Sequence, residues 1–185
     1  HSVVRRQRQM CIRDRYERSH WETNYQKDVR KMSDKNILIL YGTETGNAKA
    51  LGEDAEIMAS KMGFEAKLED MEYFEAGDIS DYERLLIICS TWGDGEQPYS
   101  AQDLYDSVSS LSGGALKGVN FSVLALGDTS YELFCESGKE WDKVIEEKGG
   151  TRVKDRVDLD TDYDDYADDW IMDTLDLMFK IPTGE

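Results

Sequence analysis

Three apolar runs, each followed by a glycine-bearing turn and then by an amphipathic stretch, most constrain what this chain can fold into. The first is Ile37-Leu38-Ile39-Leu40-Tyr41, bounded by Asn36 and Gly42. The second spans Arg84–Ser90 and the third Asn120–Leu126. Continuous apolar runs of this length read as strands buried on both faces of a parallel sheet. After the first run, Ala48, Leu51, Ala55, Met58, Ala59 and Met62 recur at spacings of three and four, the stripe of a helix docked on a sheet.

The rest of the chain follows the same alternation. Residues 64–69 read as a strand nearer the sheet edge, and 71–81 as a polar connection. Ser100 is a candidate N-cap for a helix that buries Leu104, Val108 and Leu111. A further helix is expected from about Phe134 to Lys148, with Trp141, Val144 and Ile145 inward, ended by Gly149-Gly150. A last short strand spans 152–159. A closing helix buries Tyr166, Trp170, Thr174, Leu175 and Met178, and its acidic first turns suit the helix dipole. Five strands alternating with helices imply a doubly wound α/β sandwich.

The 185 residues are enough for one sizeable core and short for two. Residues 1–31 stand apart, with nine Lys/Arg against four Asp/Glu, a net +5; residues 32–185 carry 13 against 35, a net of 13 − 35 = −22. The leader lacks the apolar centre of a secretory signal. Met10-Cys11-Ile12-Arg13-Asp14 matches what one frame of a sequencing-library transposase end encodes, and Met32 precedes the first strand as an ordinary start would. The expectation is a loosely packed leader, in whole or in part foreign to the domain at 32–185.

Composition narrows the chemistry. Cys11, Cys89 and Cys135 form no ligand-spaced cluster, so neither a zinc site nor a disulfide framework is supported, and a reducing cytoplasm is the default. Both histidines, His1 and His20, lie in the leader, which argues against a histidine-dependent hydrolase or a His-ligated metal. No apolar run approaches the ~20 residues of a membrane helix. The acidic surface disfavours nucleic acid and anionic membranes and suits basic protein partners; the alternative is the solvated surface of a salt-adapted organism.

In a doubly wound sheet, ligands bind outside the carboxyl ends of the strands, and three distinctive turns fall on that rim: 42–48, 91–98 and 127–133. The first is neither a nucleoside-triphosphate loop nor a dinucleotide fingerprint. It offers Thr43, Thr45, Asn47 and main-chain N–H groups to a phosphate at a helix N-terminus, or it is simply a well-capped turn. The second and third bring Trp92 and Tyr131 beside glycines that let the backbone approach a ligand. Phosphate at one end and a flat ring between two aromatics at the other describe a flavin mononucleotide (FMN).

The stretches YGTETGNA, STWGDGEQPYSAQDLYD and LALGDTSYELFCESGKEWD resemble the three cofactor loops of the flavodoxin family. They are more similar to the FMN domains of diflavin reductases than to long-chain flavodoxins, and the third stretch, through Arg156-Val157-Asp158, is especially similar to that of sulfite reductase flavoproteins. The resemblance covers roughly residues 36–178. It implies a flavodoxin-like doubly wound five-stranded parallel sheet in the order 2-1-3-4-5 with helices on both faces. It also implies that Thr43, Glu44, Thr45, Gly46, Asn47 and Ala48 wrap the phosphate, and that Trp92 and Tyr131 stack on the two faces of the ring. Gly93, Asp94 and Gly95 then line the N5 edge, and Ser90 and Thr91 before them count among the cofactor-binding residues. Leu126, Gly127 and Asp128 form the third wall, Phe134 and Cys135 are further cofactor-binding residues, and Asp158 falls near the ring. Trp92 departs from the family pattern, where Tyr or His is commoner. The last strand, free of a ~20-residue interruption, resembles the short-chain type.

The implied activity is single-electron transfer, with FMN shuttling between semiquinone and hydroquinone and a monomeric protein passing electrons from a reductase to a haem or iron–sulfur protein. One alternative is the FMN module of a diflavin NADPH reductase; with no nicotinamide or FAD domain after Glu185, the chain alone is not expected to oxidise NADPH. A non-redox receiver of the same fold fits poorly. Gly42-Thr43 and Ser90-Thr91 stand where acidic residues and a phosphoacceptor Asp belong.

Overall fold

The computed structural model describes residues 35–183, apart from the Asp165 side chain. The leader expected at 1–31 lies outside them. Five elements of the sheet follow the anticipated course: β1 (Asn36–Gly42), β2 (Glu65–Asp70), β3 (Arg84–Ser90), β4 (Asn120–Leu126) and β5 (Thr151–Arg152) lie side by side in the order β2-β1-β3-β4-β5. Every described strand pairing between them is parallel. Among the described residues, four α-helices connect or close the strands: α1 (Asn47–Met62), α2 (Tyr99–Ser109), α3 (Glu136–Glu147) and α4 (Asp164–Lys180).

The continuous apolar runs conceal a period of two that the packing reveals. Leu38 and Leu40 of β1, with Leu85, Ile87, Phe121 and Val123, face Leu104 and Val108 of α2 and Trp141, Val144 and Ile145 of α3. Their neighbours Ile37 and Ile39, with Leu86, Ile88, Leu124 and Leu126, face Leu51 and Ala55 of α1 and Ile171, Leu175 and Met178 of α4. Successive side chains leave a strand on opposite faces, so a sheet roofed by helices on both sides needs apolar residues at every position. The connection at 71–81 is more ordered than its polarity suggests. It makes two short 3₁₀ turns that bury Met71, Ala76 and Ile79 beneath the first of these layers.

The last strand is broken. β5 pairs with Asn120 and Phe121, while a separate piece, β6 (Val157–Leu159), pairs with Leu124, Ala125 and Leu126 of the same edge. Four residues, 153–156, cross the gap that two residues, 122–123, cross on β4. The surplus bows out of the ladder as a bulge. Lys154 N–H then donates to the Ser122 hydroxyl at 3.1 Å instead of to a strand carbonyl. The bulge carries Arg156 toward α3, where Arg156 Nη1 and Arg152 Nε reach the two oxygens of Asp142 at 3.0 and 2.8 Å.

The amino end of the sheet holds the end of α4. Arg84, fully buried, donates from Nε to the Met178 carbonyl and from Nη2 to the Ile181 carbonyl, each at 2.9 Å. A cation there answers the negative end of the helix dipole. Among the described residues, no helix is long and apolar enough to cross a membrane.

Candidate cofactor site

The carboxyl ends of β1, β3, β4 and β6 open onto one cavity of about 490 Å³, inside the range of roughly 300–1,000 Å³ typical of small-molecule sites. The turn after β1 lines it with Glu44, Thr45 and Asn47. The loop after β3 contributes Ser90, Thr91, Trp92 and Gly93, and the loop after β4 Leu126, Gly127, Asp128, Tyr131, Leu133 and Cys135. Thr161 and Tyr163 follow β6. Trp92 and Tyr131 are both about half exposed, at 50% and 52%.

Each loop is shaped by its own chemistry. After β1, Gly46 takes a left-handed conformation (φ 94°) as the cap of α1, and its N–H donates to Thr43 Oγ1 at 2.9 Å. Thr43 is thereby turned into the loop, and its own N–H donates to Ser100 Oγ at 3.2 Å. The Glu44 carboxylate accepts the N–H of Tyr99, at the start of α2, where a helix dipole favours negative charge. The first turn of α1 holds no acidic residue, and Asn47, its first residue, lines the cavity, which sets a helix N-terminus at that end. Ala48 is buried in the core against the sheet.

The loop after β3 is a tight hairpin. Trp92 N–H donates to the Glu96 carbonyl at 2.9 Å and Glu96 N–H to the Trp92 carbonyl at 2.8 Å, with Gly93 (φ 51°) and Gly95 (φ 116°) making the reversal. A side chain on Gly95 would come within 2.7 Å of Leu133, which is how closely this loop approaches the next one. Below the hairpin, Gln97 is buried and fully engaged. Its Oε1 accepts from Ser137 Oγ at 2.7 Å and Trp141 Nε1 at 3.0 Å, and its Nε2 donates to Glu140 Oε2 at 2.8 Å.

The loop after β4 is compressed. A Cβ on Gly127 would lie 2.8 Å from the Cys135 nitrogen. Cys135 itself has positive φ (57°), so α3 begins at Glu136 rather than at the expected Phe134. The buried Cys135 thiol donates to the Ala125 carbonyl at 3.5 Å and is pushed up to about 12, by burial first and by the Asp158 carboxylate second.

Of the residues anticipated from sequence, Thr43, Gly46, Ala48, Asp94, Gly95, Phe134 and Asp158 are not among those lining the cavity. The Asp158 carboxylate is taken up by Arg156, at 2.6 Å from Nε and 3.2 Å from Nη2. Leu133, Thr161 and Tyr163 line the cavity without having been anticipated. A signal for the last two existed. Every strand of a doubly wound sheet delivers its trailing loop to the same rim, but 160–163 reads first as the acidic approach to a helix. The lining carries the carboxylates Glu44 and Asp128 and no lysine or arginine. An anion here depends on hydroxyls and main-chain N–H groups.

The flavodoxin family model matches residues 39–170. The chain belongs to the flavodoxin family. The sulfite reductase [NADPH] flavoprotein alpha-component of Bacillus subtilis is 41% identical over 141 residues, 76% of this chain and 23% of that protein. Its counterpart from Buchnera aphidicola is 36% identical over 153 residues, 83% of this chain and 26% of the relative. This flavodoxin-family chain therefore spans about a quarter of the length of these relatives. Among solved structures, oxidised flavodoxin 2 of Bacillus cereus superposes with a TM-score of 0.68 at 26% identity, covering 78% of this chain and 98% of that one. A Streptococcus pneumoniae flavodoxin superposes at 0.71 with 21% identity, covering 78% and 97%, a likeness of fold.

Proposed function

We propose that this flavodoxin-family domain binds FMN in the rim cavity and carries single electrons. The observation that carries the reading is the lining itself. A hydroxyl-rich turn at a helix N-terminus and two half-exposed aromatics, Trp92 and Tyr131, border one cavity of about 490 Å³. Thr45, Asn47 and the first N–H groups of α1 suit the phosphate. Trp92 and Tyr131 suit the two faces of the ring, and Ser90, Thr91 and Gly93 its edge. When bound, FMN supplies one-electron chemistry, between its half-reduced and fully reduced forms. The protein's part is to hold the ring away from bulk water and to surround it with Glu44, Asp128 and aromatic walls, which disfavour added negative charge.

Two contexts fit: a free-standing carrier, and the electron-carrying module of a reductase. The 41% identity to a sulfite reductase flavoprotein, against 26% or less to the flavodoxin structures above, favours the reductase type. The net charge of −22 over residues 32–185 suits a basic electron acceptor such as a haem or iron–sulfur protein. Free, buried Cys89 and Cys135 are consistent with a reducing, cytoplasmic compartment.

The visible spectrum of the protein titrated with FMN tests the cofactor, with saturation at one FMN per chain expected. A redox titration without a one-electron stage would reject the single-electron reading. Transfer to cytochrome c, a basic acceptor, should slow as salt is added; a salt-independent rate would return the acidic surface to a solvating role.

A further inference from the structure

The rim loops are not tied down alike. The β1 turn leans on Ser100 and Tyr99 of α2, and the β3 hairpin is anchored from below through Gln97. The β4 and β6 loops follow neighbouring strands, whose ladder closes with Gly127 N–H on the Leu159 carbonyl at 2.9 Å. Beyond that bond the two loops are joined by the side chain of Asp160. Asp160 Oδ1 accepts the N–H of Thr129 at 3.2 Å and of Thr161 at 2.8 Å, and Oδ2 accepts the Thr129 hydroxyl.

This carboxylate bonds across 31 residues of sequence, and the segments it joins both line the cavity. On one side are Asp128 and Tyr131, the latter two residues past Thr129; on the other are Thr161 and Tyr163. The Thr129 segment is itself a compact turn, with Ser130 N–H on Asp128 Oδ1 at 2.7 Å and Tyr131 N–H on the Asp128 carbonyl at 3.1 Å. It can thus move as a unit, and Asp160 fixes where that unit sits. The three bonds are charge-assisted, and a carboxylate receiving them is held below its ordinary value, the Thr129 hydroxyl contributing most.

We propose that Asp160 is a positioning residue, a clasp that holds the Tyr131 loop against the Tyr163 loop and thereby limits how fast the cofactor leaves. The proposal rests on the FMN reading above. Asp160 itself is not among the lining residues, so it acts through the loops it joins. Asp158, two residues earlier, is already engaged by Arg156, at 2.6 Å from Nε and 3.2 Å from Nη2.

The test compares the full chain with Asp160→Ala, Asp160→Asn and Thr129→Val, following FMN release by the recovery of flavin fluorescence. Asp160→Ala should speed release about ten-fold, and the apoprotein should still unfold in one cooperative transition with an unchanged m-value. Asp160→Asn, which still offers Oδ1 to both N–H groups and an amide to the Thr129 hydroxyl, should restore most of the slow release. Asp160→Ala should cost less in a Thr129→Val background than in the wild type. Unchanged release in Asp160→Ala, strict additivity of the pair, or release as fast in Asp160→Asn as in Asp160→Ala would each overturn the proposal. A wild-type chain that takes up no FMN would instead refute the functional reading. The clasp is then tested by amide hydrogen exchange of the apoprotein, where Asp160→Ala must speed exchange within 128–131, and unchanged exchange there overturns it.

Discussion

The indole N–H of Trp141 donates to Gln97 Oε1 at 3.0 Å, joining residues 44 apart in sequence. Trp141 is completely buried in α3, and Gln97 closes the hairpin that carries Trp92. A wall of the cavity is therefore positioned by the hydrophobic layer beneath the sheet. With Ser137 donating to the same oxygen and Glu140 receiving from the amide, each polar atom of Gln97 has a partner. Satisfied in this way, a buried amide specifies one arrangement; half satisfied, it would destabilise the fold.

Gln97→Leu should accordingly cost about 2–3 kcal/mol, because it leaves the Ser137 hydroxyl and the Trp141 N–H buried without their acceptor. Urea unfolding with an unchanged m-value is the measurement. Loosening of the hairpin should also weaken FMN binding in this variant.

Trp92→Ala and Tyr131→Ala should each weaken FMN binding by roughly ten-fold or more. Offset stacking contributes about 0.5–1.5 kcal/mol per aromatic beyond the area it buries. Trp92→Phe should retain most of the affinity. Fluorescence titration separates the three, and because both side chains are half exposed, stability should change little.

Arg84 makes the opposite prediction. Its guanidinium is fully buried, is held below its ordinary pKa by that burial, and donates to two carbonyls at the end of α4. Arg84→Met should destabilise by about 3 kcal/mol, since both carbonyls lose a charged donor. Arg84→Lys should not restore the loss, because an ammonium lacks the planar fork that spans both oxygens. FMN affinity should be untouched, as β3 places Arg84 at the end of the sheet away from the cavity.

Alkaline pH should unfold the domain earlier than its compact core suggests. Burial pushes the Cys89 and Cys135 thiols from an ordinary 9.0 up to about 12. The folded state then keeps protons that the unfolded chain releases. The stabilisation is complete below pH 9 and is lost as pH rises toward 12. Unfolding free energy measured across that window should fall, and Cys89→Ala should flatten the slope. At pH 8, peptide mapping after brief alkylation should find both thiols unmodified in the native protein.

The legibility of the chain divides along a physical line. Ile37 to Tyr41 and Leu85 to Cys89 announced buried parallel strands because burial on both faces leaves its mark on consecutive residues, one after another. The turns at 42–48 and 91–98 stood out because left-handed glycines such as Gly46, Gly93 and Gly95 are demanded locally, and the turn at 127–133 because Gly127 leaves no room for a Cβ beside Cys135. The order of the strands was available from the resemblance of three loops. The break in the last strand was not: it depends on how many residues of β4 lie opposite, and on Asp142 of α3 waiting for Arg152 and Arg156.

The same division holds at the rim. Sequence alone determined that strand ends, glycines, hydroxyls and two aromatics would meet there, because each strand must hand its trailing loop to that side of the sheet. Tertiary structure decided which way each side chain turned. It sent Glu44 to Tyr99, Ser100 to Thr43 and Gln97 to Trp141, brought Thr161 and Tyr163 to the cavity, and gave Asp160 to Thr129. A polar side chain settles on whichever donor or acceptor the packing brings within about 3 Å, and that neighbour lies too far along the chain for local pattern to name.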